Sequence, residues 1–155
     1  MGFSVSASTA IIFIAALVSV GMLYTSAYNG FESVSDATID QHERALDTQN
    51  TAINVTNVTH DTSGTTDYVN VTVENEGSNA LHVSSTDVLL NGTYVESFDS
   101  RTVETTDQAY TVSENGTDLW LPGETLHVSI HQNVSKPFEV KVVSDLGVAA
   151  TEVAD

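Results

Sequence analysis

The chain has 155 residues, with 21 Asp and Glu against 4 Lys and Arg, for a formal net charge of −17. So acidic a protein lacks the Lys/Arg footprint that neutralises phosphate, and no nucleic-acid partner is expected. The lack of cysteine excludes disulfide frameworks, zinc-thiolate sites, cysteine nucleophiles and lipid-modified cysteines.

Hydrophobic residues make up 41% of the chain, too many for a disordered acidic tail, so a packed core is expected. The charge is unevenly placed. Residues 1–31 carry no charged side chain, and every Asp, Glu, Lys and Arg lies between Glu32 and Asp155. Lys136 and Lys141 are the only lysines. Such charge repels itself at low ionic strength, whereas near 1 M salt the Debye length falls to about 3 Å. Acidity combined with lysine depletion is what a high-salt solvent favours, and a halophilic source is expected.

The first predicted element is a membrane anchor. Ala10 to Tyr28 is an uncharged stretch without proline, and its 19 residues cover roughly 28 Å as a helix, close to the hydrocarbon core. Its apolar surface is carried by Ala10, Ile11, Ile12, Phe13, Ile14, Leu17, Val18, Val20 and Leu23. Tyr24 and Tyr28, followed by Phe31, form the aromatic girdle expected at one interface. A cleaved signal peptide would want a basic leading region, which is missing, although Thr25-Ser26-Ala27 offers a small-x-small site. A pilin-like subunit would want a basic residue before its processing glycine, whereas Gly2 directly follows Met1. A retained anchor is the expected state. Residues 1–31 form this foot, with the C-terminal part outside.

Residues 32–50 are expected to continue as a helical stalk. Phe31, Val34, Thr38, Gln41 and Ala45 trace a weak 3-4 stripe, with Ile39 and Leu46 beside it. The stripe is too polar for a coiled coil alone. Small residues in the anchor (Ala15 and Ser19, Gly21 and Thr25) would allow close helix pairing, and dimeric and monomeric anchors both remain open.

From Thr51 the period becomes strand-like. Val69, Val71 and Val73 alternate with Tyr68, Asn70, Thr72 and Glu74. The same alternation puts Leu126, Val128 and Ile130 inward with His127, Ser129 and His131 outward, and sets Phe138, Val140 and Val142 against Glu139 and Lys141. Asn91-Gly92 is a type I′ hairpin signal, and Asn115-Gly116 repeats it between Ala109–Ser113 and Leu119–Leu121. Leu121-Pro122-Gly123-Glu124 supplies another turn. About seven to nine short strands over residues 51–155 predict an all-β, immunoglobulin-like antiparallel sandwich. The predicted core is aliphatic: Ile53, Val55, Val69, Val71, Val73, Leu81, Val83, Leu90, Leu126, Val128, Ile130 and Val140. Trp120, next to a turn, is not expected to act as a core tryptophan of the antibody type.

Six sequons stand in this domain, at Asn54, Asn57, Asn70, Asn91, Asn115 and Asn133, where roughly two are expected by chance. Glycosylation of at least one is expected, which requires the domain to lie outside. Metal sites are not. His127 and His131, four residues apart on one strand, are about 13 Å apart at the backbone, too far for one ion. His42, His60 and His82 lie elsewhere, and no D-x-D-x-D-G calcium loop exists. There is no G-x-S-x-G, P-loop, G-x-G-x-x-G or H-E-x-x-H motif, so no enzyme activity, catalytic residue or cofactor is expected.

The opening MGFSVSASTAIIFIAALVSVGMLYTSAYNG, the run into SVSDA, the strand-turn Val71-Thr72-Val73-Glu74-Asn75-Glu76-Gly77 and the LPGE turn resemble the archaeal flagellar protein F (FlaF) family. The resemblance implies a single-pass protein of the cytoplasmic membrane, a stator-type component of the archaellum motor. Its sandwich would homodimerise beneath the surface layer, bind S-layer protein and act with FlaG and other motor proteins. A pilin-like or archaellin-like filament subunit and a membrane-anchored adhesion module are the alternatives.

Overall fold

The computed structural model describes residues 2–62, 67–105, 108–112 and 118–155, with side chains from Ser6 onward. It divides into two compact units, the first ending at Arg44 and the second spanning Ala45–Asp155.

From Gly2 onward the first unit is helical, part of α1 (Gly2–Gln49). Helix persists because residues 2–49 contain no proline and because their two interior glycines, Gly21 and Gly30, are outnumbered by good helix formers. The hydroxyls of Ser19, Thr25, Ser33 and Thr38 each donate to the carbonyl four residues back, at 2.8–3.1 Å. Stripe and foot share one uninterrupted element.

The second unit begins with the last turn of α1, from Ala45. Eleven strands follow among the described residues: β1 (Ile53–Asp61), β2 (Tyr68–Asn75), β3 (Leu81–His82), β4 (Asp87–Leu90), β5 (Thr93–Tyr94), β6 (Ser100–Glu104), β7 (Ala109–Thr111), β8 (Leu119–Trp120), β9 (Thr125–His131), β10 (Phe138–Val143) and β11 (Ala149–Ala154). They form a five-stranded sheet in the order β1-β2-β9-β6-β7, a four-stranded sheet in the order β11-β10-β4-β5, and a two-stranded ribbon of β3 with β8. All the described pairings are antiparallel. The fold is an antiparallel β-sandwich preceded by a helix, as the sequence predicts.

Alternation sets the core. All twelve predicted aliphatic positions are buried, joined by Val88, Val95, Val103, Phe138, Val142 and Ala154. Side chains of both sheets meet in one cluster. At about 1.5–3 kcal/mol for each fully buried Val, Leu, Ile or Phe, this cluster is the main stabilising term. Asn91 (φ 49°) and Gly92 (φ 76°) make the predicted hairpin turn, pairing Leu90 with Thr93. Gly123 (φ 79°) occupies the positive-φ position after Pro122, closed by Glu124 N–H donating to Leu121 O at 3.1 Å.

Two expectations are corrected. Trp120 is fully buried and is the largest such side chain, so the core is not purely aliphatic. The expected hairpin between Ala109–Ser113 and Leu119–Leu121 is also absent from the described pairings, its Asn115-Gly116 turn lying outside the described residues. Instead β7 pairs with β6, and β8 pairs with β3, opposing Trp120 to Leu81. That pairing buries both large side chains in the core.

Candidate functional surfaces

Three features of the chain bear on function: an apolar helix, the start of the sandwich and the surfaces of its sheets. The helix is long and apolar enough to cross a membrane, its best window reaching a mean hydropathy of 2.1. The anchor residues Ala10, Ile11, Ile12, Phe13, Ile14, Leu17, Val18, Val20, Leu23, Tyr24 and Tyr28 are all exposed, Ile12 by 69% and Leu23 by 69%. So large an apolar surface requires a non-aqueous or protein partner. Ser19 and Thr25 fit such surroundings because their hydroxyls already bond backbone carbonyls. Tyr24 and Tyr28 stack with ring centroids 6.4 Å apart.

At the start of the sandwich, the passage from helix to β1 takes only Asn50, Thr51 and Ala52. The 75–79 turn holds it. Glu76 and Gly77 N–H both donate to Ala52 O, at 2.9 and 3.0 Å, and Ser78 N–H donates to Asn50 O at 2.7 Å. Asn79 Nδ2 donates to Asp47 O (2.9 Å), one of the carbonyls a helix end leaves unpaired, and to Thr51 Oγ1 (3.2 Å). Gly77 is required by close approach, since a Cβ there would lie 2.6 Å from Ala52 N and 2.7 Å from Asn50 O. Asn75 is fully buried. Its Nδ2 donates to Asn79 O (2.9 Å) and Trp120 O (3.1 Å), while its Oδ1 accepts from Gly77 N–H (3.1 Å). Thus the Asn and Gly of the V-x-V-x-N-x-G segment build the joint between helix and sheet.

The sheet surfaces carry the predicted polar groups. His127 and His131 face outward as expected, but each has its own partner. His127 Nε2 lies 2.8 Å from Glu104 Oε2, and Nδ1 lies 3.3 Å from Thr72 Oγ1. The His131 ring lies 5.5 Å from that of Tyr68. Among the described residues no group of three or more His, Asp or Glu could hold a metal ion.

On the ribbon, Asp118 accepts from Ser84 N–H (2.7 Å) and Ser84 Oγ (2.8 Å), and lies 3.3 Å from His82 Nδ1. Partial burial pushes its carboxyl up, but the Ser84 hydroxyl and N–H together with His82 outweigh that and hold it below the usual value. Near the open end of this ribbon, Tyr110, Leu119 and Leu121 are exposed apolar side chains lining a groove with Val103, Thr105 and Glu124. No sequence pattern marks the three as surface groups; the exposed positions beside buried Trp120 mark Leu119 and Leu121 only once β8 is known.

The sequons fall in different settings. Asn54, Asn57, Asn91 and Asn133 are exposed, Asn70 is half-buried, and Asn115 lies outside the described residues. Across the β1–β2 ladder Asn57 opposes Thr72 and Thr59 opposes Asn70, so the hydroxyl of each sequon faces the asparagine of the other.

Helix, joint and sandwich together match one family model, that of archaeal-type flagellin, over residues 2–153. The chain belongs to the archaeal-type flagellin family. Among solved structures, this family member is similar to the archaellum periplasmic stator protein FlaG from Sulfolobus acidocaldarius, with a TM-score of 0.43 and 14% identity over 67% of this chain and 99% of that one. It is also similar to a chain of the stator complex of FlaF and FlaG from the same organism, with a TM-score of 0.41 and 12% identity over 66% and 87%. No curated protein matches. Both likenesses are distant, and family membership stands on the model match.

Proposed function

We propose that this archaeal-type flagellin family member is a stationary anchoring component of the archaellum motor. Residues 1–31 form its membrane foot, 32–50 its stalk and 51–155 its head, with the head outside the cytoplasmic membrane and beneath the surface layer. There it binds S-layer protein and acts with a FlaG-type partner as a homodimer, without catalysis. The observation that carries this reading is a helix that is free of charge as far as Phe31, runs on as one element to Gln49 and has its last turn hydrogen-bonded to the 75–79 turn. An anchor needs both an apolar foot and a folded head. The acidic, lysine-poor head suits a salty exterior.

The test is capture of S-layer protein from cell envelopes at molar salt by the intact chain in detergent. Retention of S-layer protein is the expected result, and its consistent absence overturns the binding role. The family match across residues 2–153, helix included, favours a second reading as a filament subunit. Sheared filaments decide between the two: an anchor stays with the membrane, whereas a subunit leaves with the filament.

A further inference from the structure

We propose that Asn57 and Asn133 carry N-linked glycans, whereas the other described sequons, at Asn54, Asn70 and Asn91, serve the fold. The proposal rests on the reading that places the head outside.

An oligosaccharide-transferring enzyme must take hold of an Asn-x-Ser/Thr segment with the carboxamide and the hydroxyl both presented. Three sequons have one or both groups engaged. Asn54 Nδ2, the atom that would be glycosylated, donates to Glu76 Oε1 (2.9 Å), and the hydroxyl of Thr56 donates to Thr72 O (3.3 Å). Asn70 is half-buried in β2, which is paired on both sides by β1 and β9, and its sequon hydroxyl on Thr72 lies 3.3 Å from His127 Nδ1. Asn91 sits in the hairpin turn at φ 49°, with its Oδ1 accepting from Glu139 N–H (2.9 Å).

The remaining two are presented. Asn57 and Thr59 are exposed on β1, an edge strand paired only with β2, and Asn57 immediately follows the register shift that begins at Val55. A bulged edge strand detaches locally at less cost than a central one. Asn133 and Ser135 are exposed in the segment between β9 and β10. This segment follows His131, which pairs with Tyr68 at the end of the sheet remote from the joint. The side chains of Asn57, Thr59, Asn133 and Ser135 have no hydrogen-bond partner among the described residues.

The co-reactant is a lipid-phosphate-linked oligosaccharide. Asn Nδ2 attacks the anomeric carbon, so that an N–C bond forms and the C–O bond to phosphate breaks. The electron pair of that bond leaves on the phosphate, and the amide proton passes to the transferring enzyme's base. Asn57 also lines a cleft of about 500 Å³ with Glu152, Val153 and Ala154 of β11. A glycan there covers the free edges of both sheets at once, which blocks strand addition between heads.

The test is site occupancy by mass spectrometry of the full-length chain. It is produced in an archaeal host that glycosylates its surface proteins and cut at acidic residues, since basic ones are few. Protease accessibility of the head on intact cells is measured in parallel. Glycan mass on Asn57 and Asn133, none on Asn54, Asn70 or Asn91, and loss of one glycan each in N57Q and N133Q are expected. Glycan on Asn54, Asn70 or Asn91 overturns the assignment. An accessible head with Asn57 or Asn133 bare overturns it while the location reading stands, and a protected head overturns both.

Discussion

Replacing Asn75 with Ala takes the Nδ2 donor from the carbonyls of Asn79 and Trp120, whereas Gly77 N–H keeps its second acceptor, Ala52 O. At roughly 1–3 kcal/mol for each buried group left unsatisfied, some of which relaxation recovers, the expected loss is about 3 kcal/mol. Urea unfolding at fixed molar salt would show it as a lower midpoint with an unchanged slope. Gly77→Ala is expected to cost about 1–3 kcal/mol by the same measurement, because its Cβ meets backbone rather than a movable side chain.

Asp118 has a sign that can be checked. Its folded carboxyl sits below the ordinary value of 3.8, so its contribution is present above that value and fades as pH falls through the lower folded one. Ser84→Ala removes one donor and should raise the folded value, shrinking the acid dependence of stability; a carboxyl NMR titration reads it directly. Asn75 and Gly77 stand in a recognisable strand-turn motif, but the run Asn75-Glu76-Gly77-Ser78-Asn79 looks like an exposed turn. Only the distant partners Trp120 and Ala52 reveal a buried joint.

Among the elements, β2 and β9 were legible to within one residue because one face of each is buried and the period of two exposes the pattern. The β3–β8 ribbon was not, since two-residue strands have no period and their pairing joins residues far apart in the chain. Trp120 went unrecognised for that reason. The last turn of α1 belongs to the sandwich unit through Asp47 and Thr51, which bond Asn79. A chain starting at Ala52 therefore loses both acceptors. It is expected to unfold about 1–2 kcal/mol more easily than one starting at Ala45, as read by the urea midpoint.

For the molecule as a whole, composition and its break at Phe31 foretold the apolar helix, and alternation foretold the sandwich. The apolar groove at Tyr110, Leu119 and Leu121 stayed hidden, because exposure depends on which strand takes the partner. A head with this excess of acid is expected to gain stability steeply between 0.01 M and 1 M salt, as the Debye length shrinks from about 30 Å to about 3 Å. Thermal midpoints across a salt series check this, and a flat series contradicts it. Val18→Asp in the foot carries an expected insertion cost of about 3 kcal/mol and should shift the chain from membrane to soluble fractions.

The three-residue passage from α1 to β1 also has a mechanical meaning. Its carbonyls at Asn50 and Ala52 are both taken by the 75–79 turn, so there is no free swivel at that step. Tension arriving along β1 meets a ladder of eight residue pairs, from Ile53–Asn75 to Asp61–Tyr68. Pulled lengthwise, those pairs share the load in shear instead of parting one after another. The sandwich unit is thereby reinforced where its chain begins.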